Sequence, residues 1–468
     1  MMSKGQHKTQ LLFLAILIAL IVVAASEAVA GPTAPGANAG WEEIGAGSAS
    51  GGGISNTTGK SRFSNVAVGP DGMPVVAWLA DRSGTYRVYV RRWDGTTWTE
   101  MGSGSASDGG ISNNVGDWQN PALAIGPDGM PVVAWAGGSN ISDGDIYVRR
   151  WDGTTWAEIG AGSASGGGIS NGKGGSSPSV AIDHDGAPIV AWVGGDPNID
   201  IYVRRWDGTA WVEIGAGSAT GGGISNTSGW SGYPSLAVGP DGAPVVAWSD
   251  GSNGSDDTNN DEIYVRRWDG TTWVELGGSG SGGGISNTDN YSWYPTLAID
   301  PDGMPIVAWD DRSSGNREIY VRRWDGTAWA EMGAGSASGG GISHDPFDSQ
   351  NPSLAIGPDG IPVVAWAKYG RNGAYAEVYV RRWDGAAWAE MDAGSATGGG
   401  ISNTKMDSWR PSLAIGPVGA PVVTWFDNSS DKYQIYVRRY RSVPGATFRA
   451  FTPAVIFEAQ PDAGASGD

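Results

Sequence analysis

Cysteine is absent from this chain of 468 residues, and histidine occurs only three times. Without cysteine the chain can form neither a disulfide nor a lipid-anchored amino terminus, so an exported form must be stabilised by its core alone. Positive charge is also scarce, because 30 Lys and Arg residues face 49 Asp and Glu residues, a formal net charge of −19. Since phosphate binding needs clustered cationic side chains, this balance argues against a nucleic-acid partner.

Only one long apolar run occurs, and it lies near the start of the chain. Residues 11–25 are all apolar, with Lys4 and Lys8 before them and the small-x-small sequence Ala28-Val29-Ala30 after them. This order is typical of a cleaved signal peptide, and the run is shorter than the roughly 20 residues of a membrane span. We therefore predict a signal peptide over residues 1–30 and a short linker over 31–40, with an uncleaved anchor as the alternative. The mature chain is then expected to be secreted, periplasmic or at the cell surface, without stable membrane insertion.

Glycine (77 residues) and tryptophan (24 residues) are abundant, and a repeat accounts for many of them. The sequence IYVRRWDGTAWVEIG begins at Ile201, and close copies begin at Val88, Ile146, Ile263, Ile319 and Val378, with a partial copy at Ile435. A second element of the type PVVAW precedes each copy and ends at Trp78, Trp135, Trp192, Trp248, Trp309, Trp366 and Trp425. These positions define seven units spaced by 56 to 61 residues, a period typical of propellers, solenoids and arrays.

Each unit reads as four short strands, of the types SLAIG, PVVAW, IYVRRW and WVEIG, and no helical periodicity occurs between Trp41 and Tyr440. Repetition of a four-stranded unit predicts an all-β fold, a seven-bladed β-propeller with four antiparallel strands per blade, over residues 41–440. The domain begins with an isolated fourth strand, WEEIG at Trp41, and ends with a third strand at Ile435. We predict that the N-terminal strand closes the last blade and removes its exposed edge. Residues 441–468 are expected to form a strap and a disordered tail.

The pattern PSLAxxPDGxPVVAW followed by IYVRRWDGTTW resembles the repeats of secreted bacterial β-propellers. The hairpin between the third and fourth strands is also distantly similar to the Asp-box of sialidase-like propellers. Here, however, Arg92 replaces the Asp-box serine, and Asp94 and Gly95 lack the intervening residue. Repeat lectins with seven blades are similar in architecture. The resemblance covers about 400 residues and implies the fold, but no particular activity.

The polar residues of the repeat are interpreted as scaffold. If Trp93 and Trp98 pair across the hairpin, Arg91 lies opposite Glu100, and such cross-strand pairs each contribute about 0.2–1 kcal/mol. An enzyme needs one asymmetric site rather than six or seven equal ones, so these residues do not predict catalysis. The Asp of the PDG turn is interpreted in the same way.

Sequence differences between the units predict where a ligand binds. They collect before the first strand and between the second and third strands, and both segments are expected on one face of the ring, where loops on a rigid scaffold usually place binding sites. The candidate ligand-binding residues are aromatic and polar: Asp117, Trp118, Asn120, Trp230, Tyr233, Tyr291, Trp293, Tyr294, Asp407, Trp409 and Arg410.

These residue types suit sugar rings and also protein interfaces. The predicted function is a non-enzymatic, lectin-like binding module for a glycan. A scaffold for an extracellular protein partner and a sialidase-like glycoside hydrolase are the alternatives, and in the hydrolase Arg62 and Arg410 would hold a carboxylate. No cofactor is predicted except Ca²⁺, for which Asp256, Asp257 and Asp261 are candidate ligands in an oxygen-rich loop.

Overall fold

A computed structural model describes residues 39–442, apart from residues 83, 113–119, 139–143, 173, 196–197, 254–259 and 371–374. The predicted signal peptide, most of the linker and nearly all of the predicted strap and tail lie outside the described residues. Within the described residues no helix is long and apolar enough to cross a bilayer.

The described chain is built of 28 strands. In chain order these are β1 (Gly40–Glu43), β2 (Ser61–Val68), β3 (Pro74–Arg82), β4 (Thr85–Trp93), β5 (Trp98–Glu100), β6 (Ala122–Ile125), β7 (Pro131–Gly137), β8 (Asp145–Trp151), β9 (Trp156–Glu158), β10 (Ser176–Ile182), β11 (Pro188–Gly194), β12 (Asp200–Trp206), β13 (Trp211–Glu213), β14 (Ser231–Val238), β15 (Pro244–Asp250), β16 (Glu262–Trp268), β17 (Trp273–Glu275), β18 (Ser292–Ile299), β19 (Pro305–Asp311), β20 (Glu318–Trp324), β21 (Trp329–Glu331), β22 (Ser349–Ile356), β23 (Pro362–Lys368), β24 (Glu377–Trp383), β25 (Trp388–Glu390), β26 (Ser408–Ile415), β27 (Pro421–Asp427) and β28 (Gln434–Arg441).

The strands form seven antiparallel four-stranded sheets, which are the blades of a ring. Blades one to six each use four consecutive strands, starting with β2–β5 and ending with β22–β25. Blade seven has the order β1-β28-β27-β26, so the first strand of the domain is the outermost strand of the last blade. The prediction of a seven-bladed propeller closed by its N-terminal strand is therefore confirmed.

The core lies between neighbouring blades. The second strand of each blade is buried on both faces, as in β7, in which all seven residues are buried. This explains why the PVVAW element is apolar without alternation, since a strand covered on both faces has no polar side. Its tryptophan is the largest buried side chain of each blade, and Trp78, Trp248, Trp309 and Trp425 are 0% exposed.

The repeated hairpin forms the outer rim of each blade. Arg91 lies opposite Glu100 and Trp93 opposite Trp98, as predicted. The ring of Trp98 also reaches the preceding blade, where its Nε1 donates to the carbonyl of Ile44 at 2.8 Å. Equivalent bonds recur at every later blade through blade six, at 2.8–3.0 Å. These contacts tie blade to blade and account for the repeat as scaffold.

Carboxyl groups are buried between the blades, on the face that carries the variable loops. In blades two to six the first residue of the third strand accepts a hydrogen bond from a serine hydroxyl, as Glu262 does from Ser286. The backbone N–H of Thr288 donates to the same carboxyl at 3.1 Å, and the hydroxyl of Thr288 donates to Asp311 of the next blade at 3.3 Å. Blade seven has Gln434 at this position, and its amide oxygen accepts the matching bonds from Ser55 and Thr57 at 2.7 and 3.0 Å.

Glutamine has the shape of a protonated glutamate and, like it, offers both a donor and an acceptor. Gln434 therefore indicates that these interfaces favour the neutral form of the glutamate. Burial, assisted by the charge of Asp311, raises the pKa of Glu262 from 4.5 to about 7. Burial likewise raises the pKa of Glu377 to about 7, and Asp427 lies across the interface from it. Between pH 4.5 and 7 the folded protein therefore binds more protons than the unfolded chain, and its stability falls as the pH rises through this range.

We expect Glu262→Gln and Glu377→Gln each to stabilise the protein at pH 8, on the order of 1–3 kcal/mol, with little effect below pH 4.5. The free energy of unfolding, measured in denaturant titrations at both pH values, checks this result. Gln434→Glu is the matched reciprocal variant and should lower stability at pH 8 only. Equal changes in the free energy of unfolding at the two pH values would contradict the raised pKa values of Glu262 and Glu377.

Candidate functional site

In six of the seven blades the first strand starts earlier than the sequence predicts and contains an irregularity, whereas β6 of blade two is described only from Ala122. In β14 the pairing with β15 shifts between Gly232 and Ser235, which leaves Tyr233 and Pro234 out of register. The same shift occurs in β2, β10, β18, β22 and β26. Proline is tolerated inside a sheet at such bulges because it has no N–H to donate.

The residue before this proline, or before Ser64 in blade one, has a positive φ. The values lie between 46° and 54° for Phe63, Ser177, Tyr233, Tyr294, Asn351 and Arg410. A left-handed conformation costs a non-glycine residue on the order of 1–3 kcal/mol and persists at positions that the fold over-determines. Since the conformation recurs at six equivalent positions of the ring, it is a regular feature of the fold. All six residues line the cavity at the central axis.

The bulges are held in place from blade to blade. The residue after the proline is Ser, Thr, Asn or Ala, and where it carries a hydroxyl this oxygen accepts the N–H of the next blade's first strand. Ser235 accepts from Leu297 at 2.9 Å, and Ser412 accepts from Val66 at 3.1 Å. The constant part of the motif therefore builds the ring, while the variable residue before it is presented to the axis.

A cavity of about 650 Å³ lies at this mouth of the axial channel. The residues that distinguish one blade from another in its wall are Phe63, Asn120, Ser177, Tyr233, Tyr294, Asn351 and Arg410, and Trp230 joins them. The opposite mouth is a cavity of about 390 Å³ lined by the Gly-Pro turns, such as Gly69-Pro70. Chemical variety is thus concentrated at the mouth that carries the variable loops.

Two tyrosines and one arginine dominate the chemistry of the wall. The rings of Tyr233 and Tyr294 lie 4.3 Å apart between centroids, and the hydroxyl of Tyr294 donates to that of Tyr233 at 3.4 Å. The guanidinium of Arg410 lies 4.9 Å from the ring centre of Phe63 and 5.8 Å from that of Tyr294. Among the described residues no carboxylate lies within ion-pair distance of Arg410, so its charge is available to a ligand.

The described part of the wall contains no Asp or Glu. A carboxyl group does lie behind it, at Asp310 of β19, which is 2% exposed. Arg317 donates to its Oδ2 at 3.3 Å, whereas Oδ1 makes no hydrogen bond of normal geometry. Burial raises the pKa of Asp310 to about 7, while the Arg317 charge and the amide of Asn351 oppose the shift. Burial also raises the pKa of Tyr233, with contributions from Tyr294 and Asp310.

The predicted ligand-binding set separates into three groups. Asn120, Trp230, Tyr233, Tyr294 and Arg410 line the axial cavity, whereas Asp117 and Trp118 lie outside the described residues. The remaining four residues have other partners: Tyr291 packs on Trp293, Trp293 also lies under Arg317, Asp407 binds the N–H of Ala376, and Trp409 packs on Tyr369.

The list of candidate ligand-binding residues omits three members of the ring and the carboxyl behind it. Phe63, Ser177 and Asn351 occupy the same backbone position as Tyr233, which an alignment of the seven units would have revealed. Asp310 could have been found as a departure from the repeat, since Leu79, Ala136, Val193, Ser249, Ala367 and Phe426 occupy its position in the other blades. Arg62, expected beside Arg410, does not line the cavity and lies 4.9 Å from the ring centre of Tyr433.

Of the three calcium candidates, Asp261 alone lies within the described residues. Asp261 accepts a hydrogen bond from Nε1 of Trp293, while Asp256 and Asp257 lie outside the described residues. Among the described residues no group of three or more His, Asp or Glu side chains is arranged to hold a metal ion. Calcium binding at this loop stays a prediction.

No protein-family model matches the chain, and no curated protein matches it. Solved structures resemble it at low sequence identity and with TM-scores below 0.5. A protein of unknown function from Dyadobacter fermentans is 13% identical, with a TM-score of 0.44, over 82% of this chain and 95% of its own. An α-L-arabinanase from Penicillium chrysogenum is 17% identical, with a TM-score of 0.43, over 69% of this chain and 93% of its own. An ulvan lyase is 11% identical, with a TM-score of 0.46, over 80% of this chain and 94% of its own.

These neighbours correct one prediction. Most of them are glycoside hydrolases or polysaccharide lyases, so the expected non-enzymatic binding module is wrong as stated. At 11–17% identity and with TM-scores below 0.5, these likenesses assign neither a family nor an activity to this chain. The activity of this chain must therefore be argued from its own residues.

Proposed function

We propose that this protein is a glycan-cleaving enzyme of the eliminase type, which acts on a uronate-containing polysaccharide at the axial cavity. The observation that carries the proposal is the juxtaposition of Arg410, whose charge is unpaired among the described residues, with the Tyr233–Tyr294 pair. A cavity of about 650 Å³ falls within the roughly 300–1,000 Å³ of small-molecule sites.

Arg410 supplies the electrophilic part of the chemistry. A guanidinium presents parallel N–H donors that match a carboxylate. When it binds the uronate carboxylate, it stabilises the negative charge that develops there as the proton on C5 is removed. Stabilisation of charge that appears only in the transition state is usually the largest single contribution to catalysis.

The two tyrosines supply proton transfer. Tyr294 faces Arg410, and we assign it the removal of the C5 proton. In this role its oxygen acts as an acceptor, so the hydrogen bond between the two hydroxyls is reversed and Tyr233 becomes the donor. Tyr233, whose pKa is raised by burial, keeps its proton and is assigned its delivery to the leaving glycosidic oxygen. The C5–H and C4–O bonds break, a C4–C5 double bond forms, and one proton enters and one leaves the enzyme, so no water is consumed.

The described wall favours elimination over hydrolysis. Most glycoside hydrolases use two carboxyl groups, about 5–5.5 Å apart in retaining enzymes and about 6.5–9.5 Å apart in inverting ones. No carboxyl group lines the described part of this cavity, and Asp310 is buried behind it. An exported location, as the sequence predicts, would place such an enzyme where polysaccharides occur.

A panel of polysaccharides tests the proposal. Uronate-containing polymers should yield products with the ultraviolet absorbance of a conjugated double bond, whereas neutral polymers should yield none. New reducing ends without this absorbance would identify hydrolysis and overturn the assigned chemistry. Intact polymers throughout the panel would overturn the enzymatic proposal itself.

A further inference from the structure

We infer that the polysaccharide leaves the axial cavity across blades six and seven, on an aromatic platform formed by Tyr369 and Trp409. This inference rests on the proposed function and adds the direction of the chain and a second binding region. It follows from three observations: where the exposed aromatic side chains lie, how they connect to Arg410, and why other directions are less suitable.

In the part of the chain that the structure describes, exposed aromatic side chains occur in one place. Among the described residues the large apolar side chains that stand exposed are Val212, Tyr369, Tyr375 and Val418. Both aromatic ones belong to the connection between β23 and β24 of blade six, on the face of the cavity. Tyr369 is 37% exposed and Tyr375 is 47% exposed. Aromatic faces that remain open to solvent in this way can stack against the C–H face of a sugar ring.

The platform is continuous with the cavity. Trp409 precedes Arg410 in β26, and the bulge turns Arg410 to the axis while Trp409 stays paired in register with Phe426 of β27. The rings of Trp409 and Tyr369 lie 4.5 Å apart at an interplanar angle of 69°. The N–H of Tyr369 donates to the carbonyl of Asp348 at 2.9 Å, which fixes the base of the loop. A chain that places its uronate on Arg410 therefore meets Trp409 and Tyr369 next.

Other directions offer less to a sugar chain. Blade three presents Ser177 at the ring, and blade two presents Asn120. In blade five, Trp293 is covered by the guanidinium of Arg317 at 4.8 Å and packs on Tyr291 at 4.7 Å. Its Nε1 already donates to Asp261. The aromatic side chains of blade five are thus engaged within the protein, whereas Tyr369 and Tyr375 of blade six are exposed to solvent.

The experiment uses uronate oligosaccharides of increasing length and the variants Trp409→Ala and Tyr369→Ala. Binding is measured by calorimetry on the Tyr294→Phe background, in which cleavage is expected to be slow, and kcat/KM is measured on the otherwise intact chain. Long oligosaccharides should lose about tenfold or more in affinity and in kcat/KM, while the shortest one that fills the cavity should be unaffected. Val418→Ser, at the opposite mouth, is the control and should change neither quantity.

The outcomes separate this inference from the proposed function. Cleavage by the wild-type chain with no length-dependent loss in either variant would overturn the platform and leave the eliminase assignment standing. Length-dependent binding that requires Trp409, without cleavage, would support the platform and overturn the activity. Neither binding nor cleavage would overturn both. Thermal unfolding of each variant shows whether a loss reflects the platform or the fold, and loss at all lengths in a folded variant would also contradict the platform.

Discussion

Deletion of residues 41–47 is expected to destabilise the propeller by about 5 kcal/mol or more, which is comparable with the whole stability of many domains. The deletion removes most of β1, which pairs with β28 from Gly40 to Glu43 and closes blade seven. It also removes Ile44, which is 1% exposed, and the edge contact of Trp41 with Tyr440 at 5.6 Å. Burial of one such apolar side chain contributes roughly 1.5–3 kcal/mol.

Loss of β1 has a second consequence, since it exposes the edge of β28. An open strand edge is a template for pairing with other chains, so the deleted protein should also associate or aggregate. Thermal unfolding and size-exclusion chromatography check the two results. Glu42→Ala is the control, because it removes only the exposed ion pairs with Arg439 and Arg441 and should cost less than about 1 kcal/mol. A melting temperature unchanged by the deletion would refute closure by β1.

The fold could be predicted from the sequence because its rules are local and repeated seven times. The Asp-Gly turn predicts each hairpin. The isolated fourth strand at Trp41 supplies the strand that the last unit, which ends with the third strand at Ile435, lacks. The interface between blades six and seven shows that neighbouring positions of the scaffold differ together. At the other six interfaces a glycine lies against a tryptophan of the next blade; an added Cβ at Gly45 of blade seven would meet Trp93 of blade one at 2.6 Å. Between blades six and seven, Tyr440 replaces the tryptophan and Asp392 of blade six replaces the glycine.

The site could be predicted only in part, because its geometry depends on a bulge that strand periodicity does not reveal. The sequence predicts a loop for the variable segment before the first strand, but the last residues of this segment belong to the strand itself. The bulge turns Tyr294 and Arg410 to the axis and leaves Trp293 and Trp409 facing elsewhere. The sequence thus predicted the correct segment without separating the residues of the wall from those around it. Asp310 was missed because it lies in the element that repeats most faithfully.

Tyr294→Phe is expected to lower kcat on a uronate polysaccharide by about 10²–10⁴-fold, the usual contribution of a group that transfers a proton. The substitution removes one oxygen and keeps the contact between this ring and that of Tyr233, so KM should change little. Arg410→Ala should instead raise KM and lower kcat together, because Arg410 binds the carboxylate in the ground state and more strongly as charge develops. Arg410→Lys should recover part of the loss, since it retains the charge but not the paired donors.

Tyr440→Phe is the matched control for the loss of a phenolic hydroxyl. Tyr440 donates to the carbonyl of Met391 at 2.8 Å on the outer rim of blade seven, far from the axis in the order of the strands. Its substitution should lower stability slightly and leave kcat unchanged. If Tyr294→Phe retained the full kcat while Arg410→Ala abolished cleavage, proton removal would have to be assigned to another group. Asp310, a buried carboxyl whose pKa is about 7, would then be the next candidate, and a fall in kcat for Asp310→Asn in a folded protein would identify it.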